Sequence, residues 1–238
     1  MTDSFRPAQP HGDLREVLPD VFFVTGGHEM IMDMRYRFSR NMTVVRHGGE
    51  LTLINNIRLS EAGLAALEAL GTVTHLMKIG AFHSVDDAFY LDRYRPQLWA
   101  LPDMELPEGR DVDHLLSADG PLPVPDASLH VLASSARPEA IVRLDRAGGV
   151  LIACDSLQNW AEVDEYFDEA TAARMTEMGF IRPANIGPGW LAFNKPEPIE
   201  FARIKELEFR HLLSGHGTPL LDTAHEQLCA TFARIFEV

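Results

Sequence analysis

Twice along its 238 residues the chain follows one order: two short β-prone runs joined by a Gly-Gly turn, the second leading into a buried apolar stretch. In the first half, residues 41–46 and 50–55 flank His47, Gly48 and Gly49; in the second, 139–144 and 150–154 flank Ala147, Gly148 and Gly149. Apolar runs joined this way read as β-hairpins. Residues 20–25, 72–79, 97–101, 128–132 and a run around Leu212 read as further strands. Helices are expected at 60–71, opened by Ser60 and closed by Gly71, and at 86–94, 164–178, 199–209 and 222–236. Residues 102–126, rich in proline and aspartate, form a loop-rich connection, and 182–188 a loop near any site. Strands precede helices in both halves, which predicts two sheets face to face with helices outside, a four-layer α/β arrangement. One domain over 1–238 is expected, with halves of 15–125 and 126–238.

Hydrophobic residues at 46% and charged residues at 24% are ordinary for a packed core. A formal charge of -14 sets the chain against nucleic acid or an anionic membrane as partner, since both repel it at long range. Cys154 and Cys229 are far apart and form no Cys-x-x-Cys pattern, so neither a disulfide framework nor a thiolate zinc site is indicated. The N-terminal residues lack a signal-peptide apolar core, and a cytoplasmic location is expected. The apolar content is compatible with a homodimer.

Three apolar runs end in residues suited to metal binding: His83, Asp86 and Asp87 after the first, Asp155 after Cys154, and His216 between Gly215 and Gly217. Histidines and carboxylates together suit a borderline or hard divalent ion. Each has a plainer alternative. His216 and His83 also suit core or loop positions, Asp155 an N-cap, and Asp86 and Asp87 the acid-favouring start of a helix. The remaining histidines read as surface or core residues, although residues 25–29 form a glycine-rich loop that would cover a pocket mouth. Methionines 30, 32 and 34 are expected to bury against neighbouring structure rather than bind a soft metal.

The order of these loops, His83-Ser-Val-Asp-Asp-Ala88, then Cys154-Asp155-Ser156, then Ser214-Gly-His-Gly217, resembles the metallo-β-lactamase fold superfamily. The resemblance implies a four-layer αββα sandwich and a metal-dependent hydrolase of a small ester, lactone or thioester-type substrate. It implies the ligand set His83, Asp87, Asp155 and His216, with Asp155 at the bridging position and Asp87 or Asp86 orienting a water or accepting its proton. The family's His-x-His-x-Asp-His motif is half absent, because Val85 and Ala88 stand where two histidines belong. A shifted placement would make Asp86 the ligand. No histidine occurs in residues 133–137, where another ligand belongs. The set therefore implies one ion (zinc, or iron or manganese) rather than two. The alternative is a non-catalytic binding or regulatory protein that has lost its metal. A serine or cysteine nucleophile is disfavoured, since no Gly-x-Ser-x-Gly is present and Cys154 lies in an apolar strand.

Overall fold

The computed structural model describes residues 5–83 and 85–238; residues 1–4 and Ser84, the latter within the His83 motif, lie outside the described residues. The first half holds β1 (Arg15–Leu18), β2 (Val21–Ile31), β3 (Arg35–His47), β4 (Glu50–Ile54), α1 (Glu61–Leu70), β5 (Thr72–Lys78), α2 (Asp87–Tyr94), β6 (Gln97–Ala100) and β7 (His114–Leu115). The second holds β8 (Ala127–Val131), β9 (Ala140–Leu144), β10 (Val150–Ala153), β11 (Leu157–Trp160), α3 (Glu169–Glu177), β12 (Arg182–Ile186), α4 (Pro188–Asn194), α5 (Pro198–Lys205), β13 (His211–Ser214) and α6 (Ala224–Phe236).

Strands β1 to β7 form one sheet in sequence order, and β13-β10-β9-β8 form a second. In the first, β1 to β4 pair antiparallel and β4 to β7 parallel. In the second, β10 is parallel to β13 and antiparallel to β9.

Side-chain alternation along each strand sorts the apolar residues into layers. Val21, Phe23, Val45, Ile54 and Met77 point from the first sheet onto Leu129, Val142, Val150, Ile152 and Leu213 of the second, making the central core. Their sequence neighbours Phe22, Val24, Val44, Leu53 and Leu76 face the other way, onto Leu64 and Leu67 of α1 and Phe89 and Tyr90 of α2. On the far side Ile141, Leu151 and Leu212 pack against Trp190, Phe201, Leu228 and Phe232 of α4, α5 and α6. The result is the helix, sheet, sheet, helix order expected from the sequence. Helix α1 begins where Ser60 Oγ accepts from Gly63 N–H at 3.3 Å, as its sequence signal implies.

Four local expectations are corrected. Residues 182–188 are not a loop: 182–186 form β12, paired antiparallel with β11. The glycine-rich stretch 25–29 is not a covering loop either, because β2 runs through it and pairs with β3 as far as Ile31. Gly26 is there for close approach, since a Cβ would sit 2.9 Å from both His11 Cβ and Ile57 Cδ1. Helix α3 starts only at Glu169, where Asp168 caps Thr171 N–H at 2.8 Å. Of the three methionines, Met30 and Met34 pack against the cluster of Tyr36, Phe38, Trp160 and Met175, whereas Met32 is exposed.

Candidate metal centre

Parallel pairing of β10 with β13 sets Ala153 opposite Ser214. Asp155 and His216 each follow two residues beyond that pair, so both emerge at the same end of the second sheet. The loop after β5 brings His83 to them. His83 Nε2 lies 3.0 Å from His216 Nε2 and 3.5 Å from Asp155 Oδ2, and His216 Nε2 lies 3.1 Å from Asp155 Oδ1. Because a strand, β11, follows Asp155, the helix-cap alternative for this carboxylate is excluded.

The His216 ring is fixed from behind, and the loops that carry His216 and His83 are tied down. His216 Nδ1 is 3.1 Å from the Ser39 carbonyl, which can only accept, so Nδ1 carries the proton and Nε2 presents its lone pair. The His216 loop is tied to β3: Asn41 N–H donates to Gly215 O at 2.9 Å, and Asn41 Nδ2 donates to Ser214 O and Gly217 O. Gly215 leaves room for His83, because a Cβ there would lie 2.6 Å from His83 Cε1. Buried Lys78 donates to the carbonyls of Gly80 and His83 at 3.3 and 3.2 Å, pinning the loop that carries His83.

Asp87, expected in the ligand set, is engaged elsewhere. Its Oδ1 accepts from Asn56 Nδ2 at 2.8 Å and its Oδ2 is 3.8 Å from Lys78 Nζ, with both side chains almost wholly buried. Asp86 faces Arg40 at 3.4 Å. Among the described residues Cys154 joins His83 and Asp155 in a group whose ligand atoms lie within 4.8 Å of one another. Burial, then the neighbouring carboxylates Asp155 and Glu139, push the Cys154 thiol well up, so it stays protonated.

The donor set fits a divalent ion. Burial holds His83 down to about 4, and therefore neutral. Burial alone would raise Asp155, but His83 and His216 bring it well below the usual carboxylate range, and therefore ionised. His83 Nδ1 is buried and has no hydrogen-bond partner among the described residues. The neutral His83 imidazole, the His216 ring with Nε2 turned toward it and the Asp155 carboxylate converge, and these are donor types that zinc, iron or manganese takes. Phe38 and Trp160 wall the His216 ring, with ring centroids 6.0 and 4.5 Å away.

Sequence reasoning missed four residues around this centre: Ser39, Arg40, Lys78 and Glu139. Lys78, a lone cation at the end of an apolar strand, carried the clearest signal. Glu139 carried none; its Oε1 accepts from Ser156 N–H at 2.6 Å, and burial pushes it up to about 8.

These shifts give the chelator-treated chain a pH optimum. His83 is lowered to about 4 and His28 to about 3, from 6.5, so their contributions are present above 6.5 and lost as pH falls through the folded values. Glu139 is raised from 4.5 to about 8, so its contribution is present below 4.5 and lost as pH rises through about 8. Urea denaturation from pH 4 to 9 is expected to show maximal stability at about pH 6 to 7. A steady rise to pH 9 would mean that Glu139 is ionised in the folded chain.

By sequence the chain matches no family model and no curated protein. By structure it is similar to VMB-1, with TM-score 0.61, 10% identity, and 93% of this chain and 96% of that one covered. It is similar to the metallo-β-lactamase FIM-1 from Pseudomonas aeruginosa in the mono-zinc form, with TM-score 0.60, 11% identity, and coverage of 96% and 97%. A metallo-β-lactamase from Hirschia baltica aligns with TM-score 0.57, 11% identity, and coverage of 92% and 97%.

Proposed function

The chain has the metallo-β-lactamase fold, and from that premise we propose that it is a metal-dependent hydrolase of a small ester, lactone or thioester, working with one divalent ion. The observation that carries this reading is the convergence of His83, Asp155 and His216 within 3.0 to 3.5 Å at adjoining strand ends. A bound ion would polarise the substrate carbonyl and acidify water. His83, Asp155 and His216 would hold it. The Ser39 carbonyl keeps His216 in the competent tautomer, and Lys78 keeps the His83 loop in place. Asp86, raised by burial and lining the adjoining cavity, is the carboxylate suited to accept a proton there. FIM-1, described in a mono-zinc form, is a precedent for one ion on this fold.

A second reading, a metal-free binding protein, is favoured by the Lys78–Asp87 pair, in which a side-chain cation already neutralises a carboxylate of the motif. Elemental analysis of untagged protein purified without chelator separates the two. About one equivalent of zinc, iron or manganese is expected, falling to background in His83→Ala/His216→Ala. No metal after incubation with these ions would leave only the binding reading. Unchanged metal in His216→Ala would remove His216 from the site. Among the described residues no helix is long and apolar enough to cross a membrane.

A further inference from the structure

A cavity of about 240 Å³ opens where β2 and β3 meet the loop after His83, lined among others by Arg6, Arg40, Arg58, His28, Glu29 and Asp86. Three guanidiniums face one small space in a chain whose formal charge is -14. The two carboxylates of the wall have partners of their own. Glu29 lies 2.9 Å from Arg37 and 3.7 Å from Arg35. Asp86 is 3.4 Å from Arg40, and burial raises its carboxyl. The Arg40 side chain is only 4% exposed. Its Nη2 donates to Asn56 O at 2.7 Å, while its buried Nε has no hydrogen-bond partner among the described residues. A cation held this deep in the wall of a cavity suits a desolvated anion, to which a guanidinium donates in a fixed fork. His28, held down to about 3 by burial and then by Arg40, stays neutral and adds a hydrogen-bonding group without further charge.

The cavity adjoins the metal centre through continuous structure. Val85 and Asp86 of its wall lie two and three residues beyond His83. Arg40 follows Ser39, whose carbonyl meets His216. The ring of His28, in the cavity wall, packs edge-on to Phe38 at 5.3 Å, and Phe38 in turn lies against His216.

We propose that this cavity binds an anionic group, carboxylate or phosphate, of the substrate, with Arg40 as its main anchor and Arg6 and Arg58 at its rim, so that the compound hydrolysed is an acidic ester or thioester. The scissile bond rests on the hydrolase reading; the anion site does not.

The test has two arms. Inorganic phosphate and, separately, succinate are titrated into the chain at constant ionic strength, with chloride as reference, and affinity is read from the rise in melting temperature. Specific binding of at least one anion is expected to survive in His83→Ala/His216→Ala and to weaken by about tenfold or more in Arg40→Met, the scale of a lost charge-assisted hydrogen bond. Arg6→Gln and Arg58→Gln, at the rim, are expected to weaken it too and carry the test should Arg40→Met fail to fold. Which anion binds tells carboxylate from phosphate. In the second arm, the mono-p-nitrophenyl ester of glutarate is compared with p-nitrophenyl acetate by kcat/KM, and the acidic ester is expected to be preferred by about tenfold or more, less so in the rim variants. Binding without hydrolysis would sink the hydrolase reading and keep the anion site. Equal hydrolysis of both esters with no anion binding would sink the anion site and keep the hydrolase reading.

Discussion

Replacing Asp87 by alanine is expected to destabilise the chain by about 3 to 5 kcal/mol, the usual cost of leaving one buried charge without its partner. Lys78 is the charge in question, 3.8 Å from Asp87 Oδ2 and 1% exposed. The carbonyls of Gly80 and His83 solvate its ammonium but do not neutralise it. Asn56 would also lose the acceptor it meets at 2.8 Å. The double variant Lys78→Met/Asp87→Leu removes both charges and is expected to recover much of the loss, since an apolar pair of similar volume often replaces a buried ion pair at little cost. Chemical denaturation of the wild type, both single variants and the double variant measures the coupling. A metal-ligand role predicts a different outcome: Asp87→Ala would lose bound metal with little change in the stability of the chelated protein.

Asp87 shows where sequence stops short of the site. An acidic residue at the first position of a helix is favoured by the helix dipole whatever it faces, and nothing in the local pattern says that Lys78, nine positions earlier in the chain, points at it. His216 and Asp155 were legible because each follows an apolar strand, and strand ends in such folds point where the sheets open. Arg40 was not, since an arginine in mid-strand ordinarily faces solvent; here the neighbouring loop at Asn56 and Asp86 closes over it.

The fold was more legible than the site because alternation and capping are local. Ser60 and the Gly-Gly turns do their work within a few residues of themselves. Strands β11 and β12 escaped detection for the opposite reason: they are short, polar residues and Pro183 interrupt their apolar ones, and they are held by tertiary bonds. Asn159, for instance, donates to Thr218 O and accepts from Ala184 N–H, both at 2.9 Å.

Gly217→Ala is expected to cost about 4 kcal/mol or more, at the severe end for a single substitution. Its φ of +82° is a conformation that residues with a Cβ rarely adopt, and the added atom would lie 2.1 Å from the carbonyl carbon and oxygen of Asn159. Those are backbone atoms of β11, so relief requires the strand itself to retreat. Retreat would break the bonds from Asn159 N–H to His216 O at 3.2 Å and from Thr218 N–H to Asn159 O at 3.1 Å. It would also draw Trp160 from the His216 ring and from Ser39 Oγ, to which its indole N–H donates at 2.8 Å. The stability loss and the disturbance of His216 therefore have one cause, and urea denaturation with near-ultraviolet circular dichroism of the tryptophans should report both. A variant within about 1 kcal/mol of wild type and with an unchanged tryptophan signal would mean that β11 does not brace the His216 loop.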